Sequence, residues 1–343
     1  MKKLLNTLYV TTQGAYLSRE GETVHVCIER ETKLRLPIHT IGGIVAFGNV
    51  SASPFLLGLC AENNVSVSFF TMNGRFLARV QGPVNGNVLL RREQYRRADN
   101  QLAATEIARS AVGAKIANCR TVLLRAGRET EDAPASSRLK DAADNLAVTL
   151  RRTERVENLN ELRGREGEAA NTYFGVFDDL IVAQKEDFFF RGRSRRPPLD
   201  NMNALLSFFY TLLAHDVQSA LEGVGLDPAV GFLHRDRPGR ASLSLDLMEE
   251  FRPIFADRLA LSLVNRRQIN GKGFNQTETG AVTMDDKTRK EVLMLYQTRK
   301  QDEIMHPFLN EKVSIGLLPH VQALLLARYL RGDLDAYPPF LWK

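Results

Sequence analysis

Histidine, cysteine and tryptophan are scarce in this chain of 343 residues, at six, three and one. Cys27, Cys60 and Cys119 lie far apart and form no C-x-x-C pair, so neither a disulfide framework nor a cysteine-based zinc site is indicated, and a reducing cytoplasm fits. There is no G-x-S-x-G, and no cysteine has a recognisable histidine partner nearby in sequence, which leaves a covalent nucleophile with little support. Gly271-Lys272-Gly273 lacks the remainder of a P-loop and does not follow a strand in a βα unit. The start Met1-Lys2-Lys3-Leu4-Leu5 is like that of a signal peptide, but Asn6, Thr7, Thr11, Thr12 and Gln13 interrupt any apolar region. No window approaches about 18 apolar residues, so a soluble protein with no membrane partner is expected.

What is present is an ordinary globular composition, 44% hydrophobic and 25% charged, with a net charge of +6 and a pI near 9.3. A basic field favours an anionic partner without separating DNA, RNA and membrane. The length suits about two domains. Up to about residue 90 the pattern has period two: TLYVTT, AYLSRE, TVHVCIER, KLRLPI and IGGIVAFG read as short strands. Ser53-Pro54 reads as an N-cap with proline in the first turn, opening a helix over PFLLGLCAENN. VSVSFFT and RFLARVQG flank Met72-Asn73-Gly74 and read as a hairpin with a type I′ turn. Beyond, long helical periods dominate, with a helix break at Ala133-Pro134, a basic loop RGRSRRPPLDN between helices, and a small hairpin near GKGFNQTETGAVTM. The expected class is α+β: a small N-terminal β domain, residues 1–92, and a mainly α-helical domain, residues 93–343, with the boundary within residues 90–100.

The chemistry-bearing residues are spread out. Glu166 sits in GREGEAANTYF, where Gly167, Ala169 and Ala170 would let another helix or a substrate backbone approach and leave the carboxylate at a buried edge. His234 follows AVGFL where the chain turns. Asp246, Glu249 and Glu250 fall in LSLDLMEEFRP, where the spacing lets them share one helical face; the local sequence alone favours the reading that they complement a helix dipole in its first turns. Glu, His and Glu make a plausible oxygen-plus-imidazole site for Mg²⁺ or Mn²⁺. Arg91, Arg92, Arg96 and Arg97 cluster in RREQYRR, and Arg191, Arg193, Arg195 and Arg196 in RGRSRR. Each cluster is either a phosphate-binding patch or a solvated surface. The stripe Leu205, Leu206, Phe208, Phe209, Leu212, Leu213 reads as core, with Tyr210 able to face either way.

REGEAANTYF, RRPPLDNMNALLSFFYTLL, GFLHRDRPGRASLSLDLMEEFRP and IGGIVAFGNVSASPFLLGLCAENNVSVSFFTMNGRF together resemble the CRISPR-associated integrase, the endonuclease-integrase subunit of the spacer-acquisition complex, over nearly the whole chain. The tail DAYPPFLWK further resembles the subtype I-C branch. The resemblance implies an N-terminal β-sandwich-like domain used in dimerisation, a catalytic helical domain, a homodimer, and a small ferredoxin-like companion protein that bridges two such dimers. It matches the metal ligands to Glu166, His234 and Glu249, with Asp246 in the catalytic group. Some members carry aspartate at the position of Glu249, and the adjacent Glu250 leaves the register open by one. Tyr210 and the Arg191–Arg196 loop match regions near the catalytic centre and the DNA. The implied activity is metal-dependent joining of DNA 3′-hydroxyl ends to a CRISPR repeat. A metal-dependent nuclease on branched DNA and a non-catalytic DNA-binding scaffold are the alternatives.

Overall fold

A computed structural model of the chain describes residues 6–72, 76–80, 82 and 88–342. By packing it divides into two compact units: Met1–Asn85 with Asp286–Asp302 and Ser314–Gly316, and Gly86–Asp285 with Glu303–Val313 and Leu317–Lys343.

The first unit contains β1 (Asn6–Val10), β2 (Tyr16–Glu20), β3 (Thr23–Ile28), β4 (Glu31–Pro37), β5 (Ile41–Phe47), β6 (Ser51–Ala52), α1 (Pro54–Glu62), β7 (Ser66–Phe70) and β8 (Phe76–Val80). Among the described residues they form two four-stranded sheets, ordered β1-β5-β7-β8 and β4-β3-β2-β6. Val10, Ile44 and Val67 from the first sheet, Leu17, Val24 and Val26 from the second, and Leu56 and Leu59 from α1 share one apolar cluster, the sandwich-like core that the resemblance implies for the β domain of the period-two pattern. β5 runs parallel to both β1 and β7 and is almost wholly buried. This is why it reads as the continuous run IGGIVAF and not as an alternation. Gly43 lets β7 approach it, since a Cβ there would meet the Ser66 hydroxyl at 2.8 Å. Ser53 caps α1 by accepting from the Leu56 amide at 3.2 Å, with Pro54 in the first turn. β7 and β8 pair antiparallel as the hairpin pattern predicts; the expected Asn73-Gly74 turn lies outside the described residues.

The second unit begins with α2 (Val88–Asp99), α3 (Gln101–Glu129), α4 (Ala133–Thr153), α5 (Leu159–Gly175) and α6 (Asn201–Val224), and continues with α7 (Ser242–Met248) and α8 (Arg258–Asn265). The hairpin β9 (Phe274–Gln276) and β10 (Val282–Met284) forms where GKGFNQTETGAVTM predicts it. The expected boundary at residue 92 falls inside α2, all of which belongs to this unit. Next comes α9 (Asp286–Gln301), which packs on β1 and belongs to the first unit in spite of its distance in sequence. The ladder β11 (Glu303–Met305) and β12 (Lys312–Ser314) and the helix α10 (Leu318–Leu330) complete the order.

α3 packs on α4 and α5. Its buried face is rich in alanine, at Ala104, Ala108, Ala111 and Ala114, which admits close helix neighbours. The chain breaks between α3 and α4 just before Ala133-Pro134, with Asp132 as N-cap and the proline in the first turn. α6 is capped by Asp200, whose Oδ1 accepts from the Asn203 amide at 2.7 Å, and it ends at Gly225 with φ +93°, a conformation that favours glycine. Leu205, Leu206, Phe208, Phe209, Leu212 and Leu213 are core, as their helical stripe predicts.

Candidate active site

Glu166 projects from the middle of α5, half-buried, and its Oε1 accepts from the Lys115 ammonium. Lys115 lies on the buried face of α3 with its side chain only 8% exposed, and its Nζ is also 2.8 Å from Oε2 of Glu249. One ammonium thus joins carboxylates that lie far apart in sequence. Glu249 is held from the other side by Arg252, whose Nη1 is 3.0 Å from Oε1. Burial alone would raise the Glu249 pKa, but Arg252 and then Lys115 outweigh it and hold the carboxyl below its usual range. The same cluster raises Lys115, where Glu249 and Glu166 overcome burial.

His234 is placed by Asp246. The carboxylate of Asp246 accepts from the backbone amides of Phe232 (2.6 Å), Leu233 (2.9 Å) and His234 (3.0 Å), and its Oδ1 lies 2.6 Å from His234 Nδ1. An ionised carboxylate there selects the tautomer with the proton on Nδ1 and leaves a lone pair on Nε2. Gly231 makes this approach possible: a Cβ would meet Asp246 Oδ2 at 2.7 Å and the Ser242 backbone at 2.8 Å. The loop is tied to α5 as well, because Arg163, one turn before Glu166, donates from Nε to the Leu233 carbonyl at 2.7 Å.

Asp246, Glu249 and Glu250 do not share one face. α7 ends at Met248, the turn that carries Glu249 and Glu250 comes next, and a π-helical turn occupies Arg252–Asp257. The three carboxylates consequently diverge: Asp246 to the His234 loop, Glu249 to Lys115, and Glu250 to Tyr337, Gln322 and the amide of Phe340. Nor do they complement a helix N-terminus, since the first turn of α7 has no acidic residue. Burial pushes the Glu250 carboxyl up to about 7 against these three hydrogen bonds. At Gly164 and Gly167 an added Cβ would meet nothing within 4 Å. Gly167 therefore leaves open space beside Glu166, while Ala169 is buried where α5 packs on its neighbouring helices.

A model of the family described as "CRISPR associated protein Cas1" matches residues 8–298. The chain belongs to the Cas1 family. It is 57% identical over 343 residues to "CRISPR-associated endonuclease Cas1 1" of Chlorobaculum tepidum, and 55% identical over 347 residues to "CRISPR-associated endonuclease Cas1 2" of Rhodospirillum rubrum, covering all of each chain. The solved Cas1 protein of Thermotoga maritima superposes with a TM-score of 0.81 at 28% identity, over 96% of this chain and 97% of that one. A casposase bound to integration product gives a TM-score of 0.82 at 22% identity, over 99% and 95%, a likeness of fold alone.

Among the described residues no three His, Cys, Asp or Glu are gathered tightly enough to hold a metal ion. Glu166 and Glu249, two of the three expected donors, instead flank the Lys115 ammonium. Their chemistry nevertheless fits a hard divalent cation. Oε2 of Glu249 is buried and takes no well-directed hydrogen bond, the Glu166 side chain keeps 27% of its surface exposed, and the His234 tautomer leaves Nε2 able to donate its lone pair.

The arginine loop divides in two. Arg191, Arg195 and Arg196 are exposed. Arg193 turns inward, donating from Nη1 to the Ser194 carbonyl (2.6 Å) and Asn203 Oδ1 (2.7 Å) and from Nη2 to Ser207 Oγ (3.1 Å). Tyr210 is likewise committed within the protein: its hydroxyl donates to Asp257 at 2.6 Å, and its ring stacks with the guanidiniums of Arg193 and Arg252 at 5.2 and 4.9 Å. Burial raises Asp257 to about 6, opposed first by the Tyr210 hydrogen bond. In α2, Arg91 donates to the Gly225 carbonyl and Arg97 pairs with Glu93, while Arg92 and Arg96 are exposed. Gln94 is fully buried and donates to the carbonyls of Asp227 and Val230, so α2 holds the segment that leads to His234.

Sequence reasoning missed Lys115, Asn118, Arg163, Arg252 and Asp257. A lysine in the apolar helical stripe of AVGAKIANC was the available signal, since a charge on a buried face requires a partner.

Proposed function

We propose that this chain is a divalent-metal-dependent DNA integrase and endonuclease that joins the 3′-hydroxyl ends of short DNA fragments to a CRISPR repeat by direct transesterification. The observation that carries this reading is the convergence of Glu166 and Glu249 on one buried cation, next to a histidine whose tautomer is fixed by Asp246. The names of the curated relatives support it.

Glu166, Glu249 and Nε2 of His234 would hold Mg²⁺ or Mn²⁺. Such an ion, when bound, polarises a phosphodiester and offsets charge on its oxygens. Asp246 keeps the imidazole oriented, and Arg252 keeps Glu249 ionised. With such an ion bound between Glu166 and Glu249, the Lys115 ammonium that now pairs with both would be available to a phosphate oxygen. In the exchange, the DNA 3′-oxygen forms a new bond to phosphorus, the target strand's P–O3′ bond breaks, and the hydroxyl proton is passed to the departing 3′-oxygen through solvent. Phosphodiester bonds are conserved in number, so no energy source and no covalent protein intermediate are required. Exposed Arg191, Arg195 and Arg196 hold the DNA backbone by charge, and holding two ends in line makes the step nearly unimolecular. The working form is a cytoplasmic homodimer that acts with a small ferredoxin-like companion.

The test combines the protein, with and without that companion, a short duplex bearing 3′-hydroxyls and a supercoiled plasmid carrying a CRISPR repeat, in Mn²⁺ or Mg²⁺. Wild type should give joined products, and Glu166→Ala and Glu249→Ala should lose on the order of a thousandfold in rate, about 4 kcal/mol of transition-state stabilisation. Cleavage without joining would select the branched-DNA nuclease. Equal behaviour of all three proteins would leave only a scaffold.

A further inference from the structure

Tyr337 and Phe340, close to the end of the sequence, are buried beside the candidate site. Glu250, next to Glu249, is buried and points away from Lys115, and two of its three side-chain partners belong to the tail: Tyr337 Oη donates at 2.6 Å and the Phe340 amide at 2.7 Å. Gln322 of α10 completes the set. Its Nε2 lies 3.0 Å from Glu250 Oε2, 2.8 Å from Tyr337 Oη and 3.0 Å from the Pro338 carbonyl.

A second anchor lies on α3. Asn118 is three residues after Lys115, so the two side chains share a face. Its Nδ2 donates to the carbonyls of Glu250 (2.8 Å) and Phe340 (2.9 Å), and its Oδ1 accepts from the Trp342 amide at 2.8 Å. Apolar packing closes the seam: the Phe340 ring sits 6.0 Å from that of Phe251 and 5.5 Å from that of His306. The guanidinium of Arg258 lies 4.7 Å from the Trp342 ring centre.

The tail is therefore bonded to the helix that carries Lys115 and to the turn that carries Glu249. Buried hydrogen bonds of this kind fix spacing, because breaking one leaves a polar group without a partner. We propose that Tyr337–Trp342 form a positioning strap that, through Glu250 and Asn118, fixes Glu249 relative to Lys115 and Glu166 and thereby sets the affinity of the site for a divalent cation. The proposal rests on the metal-site reading of Glu166, His234 and Glu249 and adds to it a role for the C-terminal residues.

The test measures Mn²⁺ affinity without DNA, from the free-ion electron paramagnetic resonance signal, on wild type and on Tyr337→Phe, Asn118→Ala, Glu249→Ala and Ser53→Ala. Tyr337→Phe removes one hydrogen bond and keeps the ring. Ser53→Ala weakens the protein in the other unit and controls for a general loss of stability. A chain ending at Ala336 is a fifth sample; should it fail to fold, the point variants carry the test. The expected result is a rise of about tenfold in the Mn²⁺ dissociation constant for Tyr337→Phe and Asn118→Ala, the scale typical of groups that orient metal ligands, with Ser53→Ala unchanged and Glu249→Ala no longer binding. Wild-type affinity in both strap variants, with binding lost in Glu249→Ala, overturns the strap alone. Wild-type affinity in Glu249→Ala overturns the metal site and the strap with it.

Discussion

The sandwich-like core of the first unit and the α3 seam of the second bury opposite kinds of side chain. The core beneath the two sheets is a cluster of Val, Ile, Leu and Ala with Cys60, a non-directional arrangement that tolerates exchange of one apolar group for another of similar volume. The seam along α3 encloses Lys115, Asn118, Glu249, Glu250 and Asp257, each less than about a tenth exposed. Buried charge is expensive and directional: each member is held only while its partners stay in place. The second kind of interior suits the proposed function, in which carboxylates would be presented to a divalent cation beside DNA. The first kind need only be stable.

Substitutions across this contrast should rank accordingly. Lys115→Met keeps the volume and removes the ammonium, leaving Glu166 and Glu249 to repel each other; a loss of about 3–5 kcal/mol is expected by denaturant unfolding. Added Mn²⁺ should restore part of it, because binding to the folded state alone stabilises that state. A loss below about 1 kcal/mol would mean that the seam does not depend on its charges. Asp246→Asn should lower the joining rate by about 10- to 100-fold, since the amide cannot accept from all four of the donors that Asp246 serves; an unchanged rate would remove Asp246 from the positioning of His234. Reversing charge at Arg195 and Arg196 should reduce the salt-dependence slope of DNA binding by about 0.9 for each phosphate no longer neutralised, without altering the melting temperature, as both are exposed. An unaltered slope would separate the loop from DNA binding. The smallest effect belongs to the first unit: Ser53→Ala should cost about 1 kcal/mol through removal of the α1 N-cap and leave joining untouched.

Local features were legible where a local cause forms them. The strands from TLYVTT to IGGIVAFG, the Ser53-Pro54 cap, the break before Pro134, the hairpin at β9 and β10 and the core stripe of α6 arise from alternation, capping and helical periodicity, which act over a few residues. At the site, resemblance singled out Glu166, His234 and Glu249, but their surroundings were not readable. The expectation that Asp246, Glu249 and Glu250 share a face failed because α7 stops at Met248 and the chain then turns at Glu249 and Glu250 before entering the π-helical turn at Arg252. Arg193 reads like its neighbours in RGRSRR, yet it alone finds Asn203 and Ser207 across the loop. Lys115 in the apolar stripe of AVGAKIANC signals a buried charge, but nothing local says which carboxylates pair with it.

By itself the sequence determined the two-part α+β plan, the elements within each part and the residue types available for chemistry, since those depend on period and composition. The tertiary structure decided which carboxylate meets which cation. It turned Glu249 towards Lys115 and Glu250 towards the tail, set Asp246 under the His234 loop, and gathered α9 into the first unit. Each of these depends on interactions between residues distant in sequence, where the free energy lies in pairing buried charges and hydrogen-bonding groups that no local pattern specifies.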